Sequence, residues 1–134
     1  MSQKITQRFH IFLGPVAVIL IHLVLTITGG YYWWAHIDKI MHVLGGVSIA
    51  LSAIAAINIY SQDGSLRISN NFIYTIIILS FVALAVVNWE FLEFTLDHTV
   101  HTRMQPSLAD TMGDILAGLY GGACVTLIKT WSKN

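Results

Sequence analysis

Four segments of the chain stay apolar for about 20 residues each, and this limits the fold more than any other feature. They run from about Phe9 to Gly30, Lys39 to Tyr60, Phe72 to Phe94 and Leu108 to Ile128. A helix rises about 1.5 Å per residue, so each is long enough to cross about 30 Å of hydrocarbon. Backbone within lipid must satisfy its own hydrogen bonds, which predicts that all four are helices. Composition agrees. Of 134 residues, 55% are hydrophobic and only 10% charged, where soluble domains carry about a quarter charged. The length predicts one domain, so residues 1–134 read as a single transmembrane domain. The first segment follows Lys4 and Arg8, as a signal peptide would, but its apolar run is too long and no A-x-A site follows; it reads as a retained span. The net charge is zero, which gives no support to nucleic-acid binding. The single cysteine, Cys124, lies in an apolar run and reads as a packing residue.

Basic residues set the expected orientation. Lys4, Arg8, Arg67, Lys129 and Lys133 fall on one side of the four spans, and Lys39 and Arg103 on the other. The positive-inside rule then places both termini in the cytoplasm. Tyr31, Tyr32, Trp33 and Trp34 would form an aromatic belt at the outer interface, with Trp89 near the same level. The loop around Gly64 is a short polar turn. In the loop before the fourth span, Pro106-Ser107 suits a helix start, and Ser107 with Asp110 resembles a capping box. Short loops force antiparallel neighbours. The expected fold is all-α: an integral membrane up-down four-helix bundle, multi-pass in the cell (inner or plasma) membrane.

Against that frame the acidic residues are unevenly placed. Asp38, Glu90, Glu93, Asp97, Asp110 and Asp114 all fall on the outer side, and only Asp63 on the inner. Asp38 and His42 are i, i+4; Glu90, Glu93 and Asp97 are i, i+3, i+7; Asp110 and Asp114 are i, i+4. Each set therefore shares one helical face. Small residues continue those faces: Gly118, Gly121 and Gly122 below Asp114, Gly45 and Gly46 below His42, and Ala83 below Glu90. Small residues mark close helix contact in membranes. Both stripes should face the bundle axis, which predicts a polar cup open to the outer side. Facing lipid, a charged side chain at mid-membrane costs about 2.5–3.5 kcal/mol. Six crowded carboxylates must be protonated in part, paired with Lys39 and Arg103, or bound to metal.

Other polar residues read more plainly. His22, mid-span with no acidic companion, reads as a hydrogen-bonded structural histidine. His36, His98 and His101 are loop residues, and His10 is interfacial. Asp97 and Asp110 also suit helix ends in headgroup water, where the helix dipole favours an acid at an N-terminus.

The order "DKIMHVLGG", an acid near the end of the next span, then "RMQPSLADTMGDILAGLYGG" resembles the VanZ-like family of small bacterial membrane proteins and related inner-membrane proteins. The positions that carry the resemblance are Asp38, Lys39, His42, Glu90 or Glu93, Arg103, Ser107, Asp110, Asp114 and Gly118. It covers spans two to four. Two features depart from it: no Gln closely follows the Glu, and Asp114 stands where Asn is usual. The resemblance implies a polytopic membrane protein, linked in some members to glycopeptide-antibiotic resistance.

Three functions fit the residues. The first is a site in which Asp38, His42, Glu90, Glu93, Asp110 and Asp114 hold a divalent metal ion, the donor set expected for a hard-cation or di-metal centre. Such an ion activates water against a lipid-linked or envelope substrate. Without metal, Glu90 or Glu93 would serve as general acid or base beside His42, and Lys39 and Arg103 would hold an anionic headgroup. The second is a small accessory subunit of a larger membrane complex, or a homo-oligomer. The third, a transporter or proton-pathway element, suits the sequence least, because the inner half of the bundle has almost no polar lining. Whether the chain is an enzyme stays open at this point.

Overall fold

The structure, a computed structural model, describes residues 2–34 and 36–131, with side chains from Phe9 onward. Of the basic residues that set the expected orientation, Lys133 and the side chains of Lys4 and Arg8 lie outside the described residues. The described residues are helical, without strands, in the order α1 (Ser2–Thr28), α2 (Gly30–Trp33), α3 (Ile37–Gln62), α4 (Asn71–Thr99) and α5 (Leu108–Trp131). Four of these helices are long and apolar enough to cross a membrane: Phe9–Thr28, Ile37–Gln62, Asn71–Thr99 and Leu108–Trp131.

Local chemistry explains the breaks between helices. Gly29 takes a left-handed conformation, φ 72°, that ends α1 and starts the short α2. Gly64, at φ 81°, does the same after α3. The Asn70 side chain accepts from the amides of Phe72 and Ile73 at 2.8 and 3.2 Å, capping α4. Ser107 Oγ accepts from the Asp110 amide at 3.1 Å at the start of α5. The expected capping box is thus half made, because the Asp110 carboxylate turns to Lys39 instead. α4 continues to Thr99, past the expected end near Phe94, so Asp97 is still helical.

α3, α4 and α5 form the tight part of the molecule. Gly46 of α3 sits against the backbone of Gly118 and Gly122 of α5, so close that an added Cβ would strike the Gly118 carbonyl oxygen. A Cβ at Gly121 would likewise strike the Val43 carbonyl oxygen. α4 fills the opposite side with Val82 and Val86, the latter 2.6 Å from where a Gly118 Cβ would stand. Deeper in, Ala50, Ile54, Ile57, Tyr74 and Ile78 complete the buried cluster. Gly46, Gly118 and Gly121 thus do what small residues do between membrane helices, bringing backbones together, whereas Gly45 of the same stripe faces open space.

α1 joins this trio through α3. Gly14 abuts Ser48, and Ser52 Oγ lies 2.6 Å from the carbonyl of Ile11. Only one face of the apolar part of α1 is covered, through Ile11, Pro15, Val18, His22 and Leu25. Phe9, Phe12, Leu13, Val16, Leu20 and Val24 point outward. So much exposed apolar surface on a small chain is a surface for lipid.

Candidate functional site

α3 and α5 begin, and α4 ends, at the same end of the bundle. Antiparallel packing therefore gathers Asp38, Lys39 and His42, Glu90 and Glu93, and Asp110 and Asp114 into one place. Four of these are nearly inaccessible: Asp114 is 2% exposed, Glu93 3%, Glu90 4% and His42 8%. Asp38, Lys39 and Asp110 form the partly open rim.

His42 is the hub. Its Nδ1 lies 3.6 Å from Glu90 Oε1, and its Nε2 lies 3.6 Å from Asp114 Oδ1 and 3.7 Å from Asp38 Oδ1. These gaps exceed the 2.7–3.2 Å of a direct hydrogen bond. They are nearer the roughly 3.3–3.4 Å that separates ligand atoms placed about 2.0–2.1 Å from a tetrahedral ion. Two triads share the imidazole: Asp38–His42–Asp114 at the rim, and His42–Glu90–Glu93 inside. In each, the ligand atoms all fall within 4.8 Å of one another.

The two triads differ in what already neutralises them. Lys39 Nζ donates to Asp110 Oδ1 and Asp114 Oδ1, both at 2.7 Å, and to the Asp110 carbonyl at 3.2 Å; Asp38 Oδ2 is 3.8 Å away. The outer triad therefore has a built-in cation, and Asp110 belongs to Lys39 rather than to either triad. Among the described residues the inner triad has none. Glu93 Oε1 accepts from Trp89 Nε1 at 2.7 Å, and Glu90 Oε2 accepts from Gln105 Nε2 at 2.9 Å. Glu90 Oε1 is buried without a hydrogen-bond partner, and it faces His42. A carboxylate oxygen in that state carries a large desolvation penalty, which a cation between it and the imidazole would offset.

A family model described as "Predicted membrane protein (DUF2238)" matches residues 3–134. The chain belongs to this family. No match was found among curated proteins or among solved structures.

Other polar residues of this DUF2238 chain support the cluster or stand apart from it. Asp97 lies outside both triads. Its carboxylate accepts from the Thr102 hydroxyl and from the amides of Met104 and Gln105, both at 2.9 Å. That clasp folds the loop between α4 and α5 back over the site and delivers Gln105 to Glu90, to whose carbonyl it also donates at 2.9 Å. Arg103, on the same loop, is exposed, and among the described residues it forms no ion pair with the cluster.

His22 is hydrogen-bonded, as expected, and it has companions. Its Nδ1 lies 2.6 Å from the Tyr31 hydroxyl, and its ring meets Trp89 edge-on at 5.0 Å. Burial, then the nearby carboxylates of Asp38 and Glu93, push the Tyr31 phenol above its usual pKa, so it stays neutral. Tyr31 and Trp89 therefore turn inward and leave the expected belt, while Tyr32, Trp33 and Trp34 remain exposed.

Sequence reasoning missed Gln105. It lies 15 positions from Glu90, beyond any helical spacing, and in a polar loop nothing distinguishes it from its neighbours. His22 did carry a signal, since a mid-span histidine usually faces a bundle interior.

Proposed function

We propose that this protein is a multi-pass protein of the cell membrane, folded as one domain, that holds a divalent cation on His42, Glu90 and Glu93 at the non-cytoplasmic end of its bundle. The observation that carries this reading is the buried, unpartnered Glu90 Oε1, 3.6 Å from His42 Nδ1. One imidazole with carboxylates suits a first-row divalent ion such as Mn²⁺ or Zn²⁺. Gln105 and Trp89 each hold one oxygen of a ligand carboxylate, the outer-shell arrangement that fixes ligand orientation. Asp38 and Asp114 flank the other imidazole nitrogen.

When bound, such an ion would supply Lewis-acid activation of a water or a phosphate oxygen. The residues around it suit a lipid-linked or envelope substrate with an anionic head. Lys39 at the rim and Arg103 on the exposed loop are the cationic groups at that end.

The test is equilibrium dialysis of the purified protein against Mn²⁺ or Zn²⁺, with elemental analysis of the bound ion. About one ion per chain is expected. Because even outer-shell losses weaken metal sites about 10–100-fold, Glu90→Gln and His42→Ala should each lower affinity by at least about tenfold. Uptake that is absent, or equal in wild type and both variants, would remove the cation from the account.

A further inference from the structure

A cavity of about 160 Å³ lies between α1, α3 and α4. His22, His42 and Trp89 line its outer end; Val18 and Ile49 line the part nearer mid-membrane. From His42 to Ile49 is seven residues, so the slot runs about 10 Å along the helices. Ile19 also lines it and is 43% exposed, so the slot reaches the outer surface of the helices. Gly45 keeps it open. A Cβ at Gly45 would meet nothing within 4 Å, whereas one at the adjacent Gly46 would strike the α5 backbone.

We propose that this slot takes one hydrocarbon chain of a membrane phospholipid, with the phosphate at the His42 end. The dimensions and lining select that occupant. An apolar cavity does not retain water. A helix, about 10 Å across with its side chains, is too wide for it. A chain entering past Ile19 comes from the bilayer, and the slot's polarity follows the lipid's own order, with apolar walls leading to a polar end. Of the two parts, the chain's place in the slot stands by itself. The phosphate's place rests on the cation reading above, because without an added cation Glu90 and Glu93, which unlike Asp110 and Asp114 do not pair with Lys39, repel an anionic head.

The experiment uses the full chain in nanodiscs of phosphatidylglycerol, doped with a phosphatidylglycerol that carries a diazirine within one acyl chain. After irradiation, adducts are mapped by peptide mass spectrometry. Val18, Met41 and Ile49 should be labelled above the outward residues Leu13, Val16 and Leu20. Gly45→Leu should cut the slot adducts by at least about fivefold, since a close-packed wall leaves no room for the chain, and should leave outward adducts unchanged. Equal labelling of slot and outward residues in the wild type overturns the proposal, whether or not the variant folds. Undiminished slot labelling in folded Gly45→Leu overturns it too. The Glu90→Gln variant separates the readings. Lost cation uptake with retained slot adducts supports chain binding by the slot alone. Unchanged uptake sinks the cation reading, and the phosphate placement with it, without touching the chain.

Discussion

Two neighbouring glycines show how sharply residue-level outcomes depend on what lies opposite. Gly46 faces the α5 backbone, where overpacking costs about 1–3 kcal/mol. Gly46→Ala should therefore lower the thermal unfolding midpoint of the detergent-solubilised protein. Gly45→Ala has free space, and alanine favours a helix over glycine by about 0.8–1.0 kcal/mol. It should leave the midpoint unchanged or raise it. Equal destabilisation by both would show that α3 is rotated from the placement described here. The glycine and alanine stripe itself was legible as a contact surface. Which of two adjacent glycines is jammed and which is free was not, because that depends on the rotation of α3 about its own axis.

At the scale of elements, the α4–α5 loop is held by one side chain. Asp97 accepts from two loop amides and a hydroxyl in partly exposed hydrogen bonds, where solvent reduces the contribution of each below the about 1.5–3 kcal/mol typical of bonds to charged groups. Asp97→Ala should speed hydrogen exchange at the amides of Met104 and Gln105 by at least about tenfold, which corresponds to roughly 1.4 kcal/mol of lost protection. It should also weaken cation binding modestly, because Gln105 would no longer be delivered to Glu90. Exchange unchanged at those amides would show that the loop is held by other means. The four long helices were legible because apolar length is a property of each segment alone. Asp97 shared the helical face of Glu90 and Glu93, yet it turned to the loop. Its position two residues from the end of α4 brings it within reach of amides whose path no spacing rule describes.

At the scale of the molecule, the four apolar helices and the distribution of basic residues predict a topology. A fluorescent protein fused after Asn134 should fluoresce, and alkaline phosphatase at the same point should stay inactive, if the C-terminus is cytoplasmic. Phosphatase inserted in the polar turn near Gly64 should likewise be inactive, and within the α4–α5 loop it should be active. The reverse pattern would place the carboxylate–histidine cluster on the cytoplasmic side and change the substrates open to it.

By itself the sequence determined that the chain is a set of membrane-crossing helices with its carboxylates crowded at one end. Hydrophobic length, helical spacing and the antiparallel course imposed by short loops are local properties, and local properties can be read along a chain. Only the tertiary structure decided how that crowd is divided. Lys39 pairs with Asp110 and Asp114, Gln105 and Trp89 each take one oxygen of a glutamate, and Glu90 is left with a bare oxygen facing His42. Most of those pairings join residues far apart in the chain. They depend on helix rotation, set by the backbone contacts of Gly46, Gly118 and Gly121, and on a loop path held by Asp97, and neither follows from spacing along the chain.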